Sequence, residues 1–189
     1  MRIIAGTWRG RTLTAGRGHA IRPATDRARQ TIFDILTHRI GLEGLEVLDL
    51  FSGTGSLGLE SLSRGAAHVT FVESSRSSID ILQANIRALG CEAQCTVYQS
   101  EVFRFLKNVG RSYDLVFADP PYALPEIARI PEALEASTVL KPGSIIVMEH
   151  PTSVPVALQP EKYSVTRRQF GQTGVLIAEV SPLHQRSTQ

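Results

Sequence analysis

The chain has 189 residues, 42% of them hydrophobic and 20% charged, and a formal net charge of +2. That is the size of one domain with a sizeable core and the composition of a globular protein; with no bilayer-length apolar run and no secretory apolar segment, a cytoplasmic protein is expected. The charge is uneven, because residues 1–29 hold seven arginines against one acid, Asp26, while the rest is net negative: a polyanion-binding arm on an acidic body, rather than a merely solvated basic tail.

In chain order, Arg2 to Ala5 and Thr12 to Leu13 read as a short hairpin around Gly6 and Gly10. A basic loop follows over residues 15–20. Thr25 is expected to cap a helix carrying Ala28, Ile32, Ile35 and Leu36 at helical spacing, ended by Gly41 and Gly44. From Leu45 the pattern alternates. Strands are expected at Leu45–Leu50, His68–Val72, Ala93–Tyr98, Tyr113–Ala118 and Ser144–Glu149. Helices are expected between them at Ser56–Arg64, Ser75–Leu89, Val102–Asn108 and Pro125–Ser137. Short apolar strands separated by helices imply a parallel sheet covered on both faces. After Pro151, Tyr163–Phe170 and Val175–Val180 read as an antiparallel hairpin at the sheet edge, joined by a loop from Phe170 to Gly174 to which the sequence assigns no chemistry. The expected divisions are a basic arm at 1–24, a catalytic domain at 25–182 and a polar tail at 183–189. Cys91 and Cys95 are expected to be free thiols. The five histidines lack metal-ligand spacing, so no metal is expected.

The first strand, Val47 to Leu50, opens into Phe51-Ser52-Gly53-Thr54-Gly55-Ser56-Leu57-Gly58. Glycines there let the chain turn sharply and bring a ligand close to backbone N–H groups at a helix N-terminus. Glu73 ends the second strand, where a carboxylate suits the two hydroxyls of a ribose. The spacing also satisfies the dinucleotide fingerprint. Asp49 argues against that reading: a carboxylate at the strand end repels a pyrophosphate but favours an ammonium or sulfonium. The loop resembles that of class I S-adenosylmethionine methyltransferases, whose seven-stranded sheet ends in an antiparallel hairpin. The resemblance implies that Asp49, Ser52, Gly53 and Gly55 face the methionine moiety, Glu73 and Ser74 the ribose, and Glu101 and Val102 the adenine.

The fourth strand runs into Asp119-Pro120-Pro121-Tyr122. Two prolines with fixed φ make a rigid shelf that presents carbonyls, at the strand end where ligands bind in open α/β sheets. An exocyclic base amine is a poor nucleophile. Acceptors from Asp119 and the Pro120 carbonyl can hold its hydrogens and stabilise the charge developing on nitrogen, while Tyr122 stacks on a flipped base. The tetrapeptide is similar to that of amino-methyltransferases acting on adenine N6, guanine N2 or glutamine amides, and does not choose among them.

The block Arg2 to Arg11, followed by Arg22-Pro23-Ala24-Thr25-Asp26-Arg27-Ala28-Arg29, closely resembles the bacterial RsmD family, and the resemblance covers nearly the whole chain. It implies an enzyme, needing S-adenosylmethionine and no metal, that methylates a guanine N2 in 16S ribosomal RNA, in the small subunit or its assembly intermediate; a monomer is expected, though the sequence does not give the oligomeric state. Arg2, Trp8, Arg9, Arg11, Arg22 and Arg27 are then expected to contact RNA. Trp8 either stacks on a base or packs the arm onto the body. Thr25 and Arg29 fall where related enzymes close over the methionine carboxylate; whether Arg27 and Arg29 face cofactor or RNA stays open. The competing readings are an amino-methyltransferase acting on DNA adenine or protein glutamine, and a non-catalytic RNA-binding protein.

Overall fold

The computed structural model describes residues 1–16 and 23–182, the side chains of 23–26 excepted. The expectations placed on Arg17, Arg22, the side chain of Thr25 and the tail at 183–189 lie outside the described residues.

Seven strands form one sheet: β1 (Glu46–Leu50), β2 (His68–Glu73), β3 (Cys95–Gln99), β4 (Leu115–Ala118), β5 (Ile145–Pro151), β6 (Tyr163–Phe170) and β7 (Thr173–Val180). Their order is β3-β2-β1-β4-β5-β7-β6. The first five run parallel, and β7 is antiparallel to both β5 and β6. The helices are α1 (Pro23–Arg39), α2 (Ser56–Ser63), α3 (Arg76–Leu89), α4 (Val102–Asn108) and α5 (Ile130–Glu135). This is the doubly wound, Rossmann-like α/β arrangement with a terminal antiparallel pair that the pattern predicts.

Several boundaries differ from expectation, four of them for a clear local reason. The helix α1 begins at Pro23, so Thr25 lies within it and is not its cap; proline's fixed φ suits a first helical position. The stretch expected as one helix from Pro125 is a 3₁₀ turn at Ile127–Arg129 followed by the short α5. A second 3₁₀ turn, Glu92–Gln94, delays β3 to Cys95. The hairpin turn is only Gly171 and Gln172, with Gly171 at φ 60°, as two-residue turns with glycine first require. Thr173 and Gly174 therefore belong to β7.

Side chains alternate across the sheet into two cores. One face packs Val47, Phe71, Phe117 and Val147 against α1, α2 and α3, with Phe33 and Phe117 rings 5.8 Å apart. The other packs Leu48, Val72, Val116 and Ile146 against α4 and α5.

The N-terminal arm belongs to the first core. Ile3 and Leu13 are buried within it and Trp8 packs on it half-buried; burial of each aliphatic chain stabilises by about 1.5–3 kcal/mol. The hairpin is a single bridge, Arg2 to Thr12, with Ile3 N donating to Arg11 O at 2.9 Å. Its backbone is held by helix side chains. Buried Glu60 accepts from Ile4 N at 2.7 Å, Ala5 N at 3.0 Å and Arg64 Nε at 2.7 Å. Ser63 Oγ accepts from Trp8 N and donates to Ala5 O. Gly6, at φ 81°, comes so close that a Cβ there would sit 1.7 Å from Ser63 O. Cys91 and Cys95 are free, with sulfurs 3.9 Å apart.

Candidate functional site

Strand register builds the site. Asp49 pairs with Phe71 and Phe117, and Glu73 lies two residues beyond Phe71. Ala118 pairs with Met148, so Asp119, directly after β4, stands level with Glu149 of β5. Alternation puts Asp49, Glu73, Asp119 and Glu149 on the α1–α3 face, at the carboxyl ends of four adjacent strands. Ligands bind in open α/β sheets at that end.

The loop after β1 is shaped by unusual backbone. Phe51 has φ 57°, the one non-glycine in the left-handed region among the described residues, followed by Gly53 at 54° and Gly55 at 86°. Such a residue costs of order 1 kcal/mol and persists where its surroundings impose it. A Cβ on Gly55 would lie 2.3 Å from Leu82 Cδ1, so glycine is demanded by packing as well as by φ. Glu73 braces the loop, accepting from Gly53 N at 2.8 Å with one oxygen and from Ser75 N at 2.7 Å with the other. Ser52 is buried, and its hydroxyl finds no hydrogen-bond partner among the described residues. Buried hydroxyls are normally hydrogen-bonded, so the Ser52 hydroxyl is a group with bonding capacity to spare in the glycine loop.

The electrostatics point the same way. Asp49 is 1% exposed and accepts one hydrogen bond, from Gly58 N at 2.9 Å. Burial, then the charges of Asp119 and Glu73, push its carboxyl up to about 7 against the Gly58 hydrogen bond. Burial and the Asp119 charge push Glu149 up to about 8. Asp49, Glu73 and Glu149 make no ion pair among the described residues. Carboxylates drawn out of water without a cation are costly, and the arrangement suits a positively charged ligand.

Beside them lies the Asp119-Pro120-Pro121-Tyr122 loop. Asp119, Pro121 and Tyr122 are exposed and Pro120 is buried. The Tyr122 ring is 48% exposed, and its hydroxyl is hydrogen-bonded to Thr173 Oγ1. The last hairpin thus touches the loop, and Thr173 gains a positioning role that sequence reasoning did not assign. Glu149 was also missed, its only signal being a carboxylate at a strand's carboxyl end.

Other predicted residues fall as follows. Glu101 occupies the N-cap position of α4, but its side chain caps nothing, leaving an exposed carboxylate beside buried Val102. Ser74 is exposed next to Glu73. Arg2, Arg9 and Arg11 are exposed on the arm; Arg11 reaches Ala88 O at the end of α3 at 2.6 Å, while Arg2 and Arg9 lie beside Gln30 of α1. Arg27 is exposed, whereas Arg29 is 3% exposed and donates to Arg2 O at 2.7 Å. The two arginines therefore part: one faces solvent and the other ties α1 to the arm. Asn85 joins the arm to the glycine loop, exchanging hydrogen bonds with Thr14 N (2.8 Å) and Thr14 O (3.0 Å) and donating to Thr54 O (3.0 Å). Among the described residues no group of three or more metal-ligating side chains assembles, and no helix is long and apolar enough to cross a membrane.

The chain is similar to known proteins along nearly its whole length. The family described as conserved hypothetical protein 95 matches residues 1–179. Ribosomal RNA small subunit methyltransferase D of Haemophilus influenzae is 35% identical over 179 residues, covering 93% of this chain and 90% of that protein. Its namesake in Escherichia coli K12 is 34% identical over 167 residues, covering 88% and 83%. The solved structure of the Escherichia coli protein yhhF superposes with a TM-score of 0.86 at 32% identity, covering 96% of this chain and 98% of that one. The chain belongs to the conserved hypothetical protein 95 family, together with the relatives called ribosomal RNA small subunit methyltransferase D.

Proposed function

We propose that the chain methylates ribosomal RNA with S-adenosylmethionine as donor, on the N2 amine of a guanine in 16S RNA within the small subunit or its assembly intermediate. The observation that carries this reading is the row of four carboxylates on one sheet face beside the Asp-Pro-Pro-Tyr loop. The names of the relatives supply the RNA.

The residues fit the donor. Its cationic methionine end suits Asp49 and the glycine loop with the Ser52 hydroxyl, its ribose suits Glu73 with Ser74 alongside, and its adenine suits the rim at Glu101 and Val102. When bound, S-adenosylmethionine supplies a methyl group made electrophilic by the sulfonium. The chain's part is to orient the acceptor. Asp119 and the Pro120 carbonyl accept the two hydrogens of the base amine, which holds the nitrogen lone pair in line and stabilises the charge developing there. The exposed Tyr122 ring offers a stacking face to an extruded base, held by its bond to Thr173. Arg2, Arg9, Arg11 and Arg27 supply forked donors for phosphates. Arg29, inside, fixes the arm to α1.

The test is transfer of labelled methyl to purified small subunits lacking the modification, followed by nucleoside analysis. N2-methylguanosine is the expected product. Transfer to a DNA oligonucleotide or a glutamine peptide but not to RNA would replace the substrate while keeping the reaction.

A further inference from the structure

The arm is tied by its backbone to Glu60 of α2 and Asn85 of α3, with Arg11 reaching the end of α3, on the β1–β2–β3 side of the site. The opposite side ends at β6, the outermost strand. There the register aligns Arg168 with Val175, and Val175 with Glu149. Residues directly opposed in a sheet share a face. Arg168 therefore projects on the same face as Glu149 and Asp119 and level with them, its backbone two strand spacings, about 10 Å, from Glu149.

Its neighbours on that face continue the line. Two residues back, Thr166 is hydrogen-bonded to Arg39, from the last turn of α1. Two residues on, Phe170 pairs with Thr173, which holds the Tyr122 hydroxyl. Arg39 and Arg168 are exposed, and neither makes an ion pair with a carboxylate among the described residues. Arg168 donates Nη1 to the Arg167 carbonyl at 2.9 Å, which steadies the exposed guanidinium; Nε and Nη2 make no bond to another described residue. Arg167, on the opposite face, is turned back onto Val156 O.

An acid-lined site repels a polyanion, so cations must stand just outside the carboxylates if the target base is to enter. We propose that Arg168, backed by Arg39, is a phosphate-binding site for the RNA strand flanking the target base, placing the RNA across the carboxyl end of the sheet between the arm and β6. The inference rests on the RNA-methylating reading above. Its rival is an arginine that only guards an exposed strand edge against pairing with another chain.

The experiment measures binding of the full chain to purified small subunits lacking the modification over a salt series, alongside methyl transfer. Arg168→Ala should weaken RNA binding several-fold and lower the salt slope by about one. Arg168→Glu should weaken it tenfold or more, and Arg168→Lys should restore most of it. Cofactor affinity and the rate at saturating RNA should stay at the parent value, as should RNA binding by Arg104→Glu on the other face of the sheet. Folded, soluble Arg168→Glu with parental RNA affinity overturns the site, as does an equal loss in Arg104→Glu. A parent chain that binds RNA but transfers no methyl overturns the reaction instead, and the binding series still decides Arg168. A parent chain that binds no RNA overturns both.

Discussion

Glu60 and Asp49 are both buried carboxylates, at 0% and 1% exposure, and their surroundings could hardly differ more. Glu60 receives two backbone N–H groups of the arm and the Arg64 guanidinium. Asp49 receives one backbone N–H and faces the charges of Asp119 and Glu73. A carboxylate whose acceptor capacity is filled from within holds the fold together. One left under-satisfied is a standing cost to the fold, offset when a cation arrives.

The contrast can be broken in order of size. Asp119→Ala should lower the rate at saturation by roughly 10²–10³-fold, the range for removing one preorganised transition-state partner. Its melting temperature should barely move, because Asp119 is exposed; retained turnover refutes its role. Glu60→Gln should do the reverse, costing about 3–5 kcal/mol by breaking a buried pair. That is a fall of roughly 10 °C in a chain of this size, and an unchanged melt would show that the arm is held by its apolar contacts alone.

Asp49→Asn keeps an oxygen for the Gly58 N–H but removes the charge. Cofactor affinity should fall roughly tenfold, the order of one charged hydrogen bond, while the ligand-free chain becomes more stable at pH 8. The sign follows from the raised carboxyls. Asp49 and Glu149 keep their protons when folded at pH values where the unfolded chain has released them. That contribution to stability is fully present below the ordinary carboxyl range and is lost as pH rises through about 7 and about 8. Cofactor binding has the opposite slope, strengthening several-fold between pH 6 and 8.5 as the site becomes negative. Calorimetric titration across that range, with Glu149→Gln expected to lose the upper part of the rise, is the smallest and sharpest check. A flat profile would mean the carboxylates do not meet a cation.

The alternating strands and helices after Leu45 were legible because each element writes its own period into the sequence. The misread stretches are those where spacing persists while hydrogen bonding changes: Ile127 and Ile130 keep a helical rhythm across a 3₁₀ turn. The positions of Asp49, Glu73 and Asp119 could be placed because each lies at or just beyond the carboxyl end of a strand. Thr173, Glu149 and Arg168 could not, since what they face is decided by cross-strand register between segments distant in the chain. Glu60 left a faint trace, as the one charge in a helix of otherwise apolar and small residues.

Asn85 spends its whole amide on two segments, one from the arm and one from the glycine loop. The arm is therefore not a detachable module. Exchanging it would disturb the support of the glycine loop, and grafting it onto another member of the fold would require position 85 to travel with it. The arm and the glycine loop are thus one structural unit, joined at a single side chain.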